Sequence, residues 1–135
     1  MRRIIYLFFV SQKTAEVKRF NMASLSVETL FHSAVQILLL EEQIVNISFS
    51  EGIFRVKFPT TRKLAEVLHV PHYYILPYVL IMEEQDLVTR IERIGIYTTN
   101  AGSVILINLI NAQCPEEGER VFGKNVFLAM KESLL

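Results

Sequence analysis

Arg55, Lys57, Arg62 and Lys63 lie close together in the chain, and Arg90 and Arg93 follow on a later segment. Guanidinium and ammonium groups grouped in this way suit phosphate oxygens, although a basic run is also the ordinary make-up of a solvated face. The acidic residues stand apart, as Glu41-Glu42, Glu83-Glu84-Asp86 and Glu116-Glu117-Glu119. With 14 basic and 14 acidic side chains the formal charge is zero, so no overall field draws in a polyanion and any such affinity is local. Between the two basic groups stand His72, Tyr73 and Tyr74, with Tyr78 further on. Tyrosines there can stack on or hydrogen-bond to bases, and they are equally suited to anchoring a protein interface.

Other chemistry finds little to work with. No glycine loop for phosphate, nucleophile elbow or paired metal ligands occurs, so no catalytic residue, metal or cofactor is expected and the chain does not read as an enzyme. His32, His69 and His72 are scattered, and Cys114 is the single cysteine. One thiol cannot form an internal disulfide, which suits a reducing cytoplasm, the expected location. Arg2-Arg3 and the apolar run 4–10 look superficially like a signal peptide. Seven apolar residues followed by Ser11-Gln12-Lys13 are too short and lack a cleavage pattern, and they cannot span a bilayer. Residues 1–23 are expected to form an arm or extension, and Met22 is an alternative start.

The elements that must position these groups follow from periodicity. Ser24 or Ser26 caps a helix with Glu28 in its first turn, and Val27, Leu30, Phe31, Ala34, Val35 and Leu38 mark its buried face. By residues 37–40 it is apolar all round and should be buried on two sides. Segments 44–49 and 53–58 alternate around Ser50-Glu51-Gly52 and predict a β-hairpin. Pro59-Thr60-Thr61 starts a helix with Leu64, Ala65 and Leu68 on one face, and a second helical segment runs over 71–85. A tight hairpin over 87–98 follows, then a long apolar helix from Thr99 or Asn100 to about 112. Beyond Pro115 an acidic loop and a short amphipathic helix are expected.

The stretch PTTRKLAEVLHVPHYYILPYVLIMEEQDLV, residues 59–88, resembles without a gap the DNA-binding half of GntR-type transcriptional regulators. Phe58, Pro59, Thr60, Arg62, Leu64, Ala65, Leu68, Val70, Ile75, Val79, Met82, Leu87 and Val88 fall on matching positions. The resemblance implies an α+β, mainly α fold: a winged helix-turn-helix with extra N- and C-terminal helices. It divides the chain into 1–23, a winged helix domain with flanking helices over 24–113, and a C-terminal loop and short helix over 114–135. It also implies that Arg62 and Lys63 position the protein on phosphates, that His72, Tyr73 and Tyr74 face base edges, and that Arg90 and Arg93 on the wing reach phosphates or the minor groove. The implied partner is double-stranded DNA, bound by a homodimer formed through the first and last long helices; no membrane is expected.

Three features depart from the family pattern. Positions 71–82 carry no charged side chain if His72 is neutral, whereas the family's second helix has arginines facing DNA. Pro77 either kinks that helix or sits at the first position of a shorter one after a tight turn. His69 replaces the glycine usual in the turn. A winged-helix module that binds protein through residues 72–81, having lost DNA, is therefore the alternative reading.

Overall fold

In the computed structural model, which describes residues 25–135, Ser26 opens the first helix, α1 (Val27–Gln36). Its hydroxyl accepts from the Thr29 amide while the Thr29 hydroxyl accepts from the Ser26 amide at 3.0 Å, a reciprocal capping box. The helix then widens into a π turn (Ile37–Glu41), closed by the Glu42 amide donating to the Ile37 carbonyl at 2.8 Å. Ile37, Leu38 and Leu39 are all buried there. The all-round apolar character of this segment is met within the chain, against helices described below. The expectations placed on residues 1–23, and on Ser24 as a cap, lie outside the described residues.

Strands β1 (Ile47–Ser50) and β2 (Ile53–Val56) pair antiparallel with Ile47 opposite Val56. Glu51 and Gly52 both have positive φ, 54° and 76°, the backbone a two-residue hairpin loop needs to match strand twist. Helix α2 (Thr61–Leu68) is capped by the Thr60 hydroxyl, which accepts from the Lys63 amide at 3.1 Å. It ends on His69 in the left-handed region (φ 56°, ψ 44°). Histidine there is tolerated, and the Val70 amide closes the turn on the Ala65 carbonyl.

The helix predicted over 71–85 is instead two pieces: a 3₁₀ turn (His72–Tyr74) and helix α3 (Leu76–Glu84) with Pro77 in its first turn. Proline has no amide to give to a preceding turn, so α3 begins where that loss costs nothing. The axis bends by 104° between α2 and the turn-plus-α3 segment, within the range of a helix-turn-helix pair. Leu64, Ala65 and Leu68 of α2 and Ile75, Val79 and Met82 before and within α3 are buried in one core.

Strands β3 (Val88–Ile91) and β4 (Gly95–Thr98) form a second antiparallel hairpin. Its base joins the first hairpin through the bridge between Lys57 and Tyr97 and the Phe58 amide donating to the Ile96 carbonyl at 2.8 Å. Helix α4 (Asn100–Gln113) is capped by Thr99. The acidic stretch after Pro115, expected as a loop, is helix α5 (Pro115–Phe122), and α6 (Lys124–Leu134) follows across Gly123. Pro115 at the first turn and Glu116-Glu117 against the helix dipole explain the helix. Gly118 has no room for a Cβ, which would lie 2.5 Å from an Ile110 methyl, so α5 crosses α4 at close range. The described residues thus form an α+β fold, mainly helical, with two small antiparallel hairpins.

Candidate nucleic-acid interface

Thr60 fixes where α2 begins, and so fixes that Arg62 and Lys63 project from its first turn. Arg62 is exposed and has no ion-pair partner among the described residues. Lys63 does not share that freedom. Its ammonium lies 3.3 Å from a Glu41 carboxylate oxygen and 3.7 Å from one of Glu66. The hydrogen bond to Glu41, then its charge, raise the Lys63 pKa above the ordinary lysine value. The Glu66 contact is the i,i+3 spacing visible in the sequence. Glu41, 22 positions back at the end of the π turn, gives no local signal.

His72 is half-buried. Its Nε2 lies 2.6 Å from the Thr61 hydroxyl, so the imidazole ties the 3₁₀ turn to the start of α2. Tyr73 and Tyr74 point outward, 64% and 50% exposed, with rings edge-to-face at 4.7 Å. The hydrogen bond to Tyr74 pushes the Tyr73 pKa above the usual phenol value. Of the three candidates for base edges, the two tyrosines therefore share the exposed corner in front of α3, and His72 holds that corner in place.

On the second hairpin, the Arg90 guanidinium is paired with the Glu83 carboxylate at the end of α3. Arg93 stands at the hairpin tip with φ +65°, exposed and without a carboxylate partner among the described residues. The stem of Lys57 lies along Gly95, where a Cβ would come 3.1 Å from its Cε. Arg55 is half-buried opposite Ser48. The fold thus gathers Arg62, His72, Tyr73 and Tyr74 around the α2–α3 turn and leaves Arg90 and Arg93 on a separate hairpin. In the sequence Thr61 reads only as part of a helix start and Glu83 only as part of an acidic run, because each meets its partner only after the chain has bent.

No family model matches the chain, no curated protein is detectably similar to it, and no solved structure matches it. Its function is therefore argued from the site alone. Among the described residues, no group of three or more His, Cys, Asp or Glu side chains could hold a metal ion, and no single helix is long and apolar enough to cross a membrane.

The outer side of α3 is apolar. Leu76, Leu80 and Ile81 are exposed beside Tyr73 and Tyr74, while Ile75, Val79 and Met82 on the opposite side are buried. From Tyr73 to Ile81 this surface holds no formal charge, and the exposed Glu84 follows one turn beyond Leu80. What it offers chemically is an aliphatic and aromatic stripe, with phenol hydroxyls at one end and cations at its margins.

Proposed function

We propose that the chain is a small winged helix-turn-helix protein that binds double-stranded DNA and regulates transcription in the cytoplasm. The observation that carries this reading is the α2–α3 corner. A 104° bend through left-handed His69 sets an exposed arginine at the start of one helix and two exposed tyrosines ahead of the next. A hairpin bearing Arg90 and Arg93 follows directly, its base joined to β2 through the Lys57–Tyr97 bridge, where a wing belongs. On this reading Arg62 and Arg93 position the protein on phosphates, and Tyr73 and Tyr74 meet base edges.

The regulator acts as a homodimer on two half-sites about one helical turn apart. The apolar faces of α1 and α4, expected to form the dimer, pack within the same chain: α1 against α2, α3 and α4, and α4 also against α5 and α6. The dimer contact therefore uses surface still exposed, such as Val126 and Leu128 on α6.

The test is fluorescence anisotropy with mixed-sequence duplex DNA over a salt series. Binding should weaken steeply with salt, and Arg62→Ala or Arg93→Ala should each flatten the log–log slope by about 0.9. Variants that bind with the parent's slope would show that these cations meet no phosphate. The uncharged, exposed stripe of Tyr73, Leu76 and Leu80 favours a second reading, a winged-helix protein-interaction module. Absence of DNA binding at low salt, with self-association in solution, would select it.

A further inference from the structure

The outward stripe of α3 and its preceding turn is spaced as one face of a helix: Tyr73, then Leu76 and Pro77, then Leu80. From Pro71 to Met82 the chain carries no Asp, Glu, Lys or Arg. The two lateral cations that could lean over the stripe are engaged, Lys63 by Glu41 and Glu66, and Arg90 by Glu83. Two exposed cations have no carboxylate partner among the described residues, Arg62 at the start of α2 and Arg93 at the tip of the hairpin that follows α3. An occupant that fits has negative charge along its rims and an apolar strip between them.

The major groove of DNA has that arrangement where it is rich in thymine. Phosphates line its edges, and the thymine 5-methyl group is the one apolar feature that a base pair presents on its floor. Guanine and adenine edges ask for bidentate donors or acceptors, such as Arg, Asn or Gln, and the stripe has none of these. Its only hydrogen-bonding groups are phenols, and the Tyr73 ring packs edge-to-face on that of Tyr74.

We propose that this chain selects duplex DNA by thymine methyl groups, with Leu76 and Leu80 as the specificity-determining residues and Tyr73 packing beside them. The proposal rests on the DNA-binding reading above and adds to it the chemistry of the preferred site. Readout by shape and methyl burial also explains how a helix without cations can sit in a groove: attraction comes from the margins and discrimination from the floor.

The experiment uses the full chain. A binding site is selected from a random duplex pool, then resynthesised with deoxyuridine in place of thymine, which removes the methyl groups and leaves pairing and phosphates unchanged. Thymine enrichment in the selected site is expected. Each buried methyl group accounts for about a fourfold change in affinity, so two contacts give about a fifteenfold loss with deoxyuridine. Leu80→Ala, at a solvent-exposed position, should narrow that ratio to about fourfold, the comparison being made within each protein so that any common loss of duplex affinity cancels. Equal, salt-sensitive affinity for both duplexes would overturn methyl selection and leave DNA binding standing. No retention of any duplex at low salt would overturn both, and self-association of the chain at the same concentration would then assign the stripe to a contact between proteins.

Discussion

Thr98 is fully buried, and its hydroxyl sits where β2, β4 and α4 meet. The Val56 amide donates to Thr98 Oγ1 at 2.8 Å, and Ser103 Oγ donates to the Phe54 carbonyl at 2.7 Å. The two hydroxyl oxygens are 2.7 Å apart. Ser103 has only one proton and gives it to Phe54, so Thr98 must donate to Ser103. The chain of bonds then has one direction, from the Val56 amide through Thr98 and Ser103 to the Phe54 carbonyl, with no donor left over. Thr98→Val keeps the shape of the side chain and removes the acceptor, stranding the Val56 N–H inside the protein. An orphaned buried donor costs about 1–3 kcal/mol. At about 2 kcal/mol the urea midpoint falls by roughly 1 M. If the opening is local, the Val56 amide exchanges about thirtyfold faster. Thr98→Ser retains the hydroxyl and loses one methyl group, about 1 kcal/mol, without exposing that amide to exchange. Hydrogen exchange followed by NMR, referenced to amides of α4, separates the two. Unchanged exchange at Val56 in Thr98→Val, or equal acceleration in Thr98→Ser, would refute this account of the hairpin base.

Glu83→Gln should release Arg90, raising affinity for duplex DNA at low salt and steepening the salt slope by about 0.9, measured by anisotropy. Gly102→Ala should destabilise the fold by about 2 kcal/mol or more in chemical denaturation, because the new Cβ would lie 2.0 Å from the Leu87 carbonyl oxygen, a backbone atom that cannot step aside. The Lys63 ammonium, with its pKa raised chiefly by Glu41, contributes stability that is fully present below the ordinary lysine pKa. That contribution is lost as pH climbs through the raised value. Glu41→Gln should therefore lower stability at neutral pH and flatten its alkaline decline, read from melting curves between pH 8 and about pH 11.

The helical and hairpin order was legible because its signals are local. Ser26, Thr60 and Thr99 cap helices as their positions predict, and the Glu51-Gly52 turn sits between two alternating segments. Pro77 announced that something must give in the second helix, and the choice went to a 3₁₀ turn followed by a shorter helix. The acidic stretch after Pro115 was misjudged because charge was read as solvation, when Glu116 and Glu117 occupy a first turn whose dipole they complement. The site was half legible. Arg62, Tyr73 and Tyr74 are exposed as their types suggested, but the pairing of Arg90 with Glu83 and of His72 with Thr61 depends on a bend that no local pattern reports. The surplus apolarity of α1 and α4 pointed to a second chain; within the structure α1 packs on α2, α3 and α4, and α5 and α6 cover α4.

Charge accounting limits what one copy can do on DNA. Of the six basic residues that drew attention, Lys63 and Arg90 are held by carboxylates, leaving Arg55, Lys57, Arg62 and Arg93 without such a partner among the described residues. If all four met phosphates, the salt slope of a single module would be about 3.6, and that of a dimer about 7. A slope above about 4 with one module bound would mean that further cations meet phosphates, and if Arg90 is among them Glu83→Gln would add nothing. A slope well below it would mean that the half-buried Arg55, or Lys57 lying along Gly95, stays out of reach. Because four contacts give only modest nonspecific attraction, useful occupancy has to come from pairing of two modules or from the apolar floor contacts. The salt slope and the effect of deoxyuridine report these two sources separately.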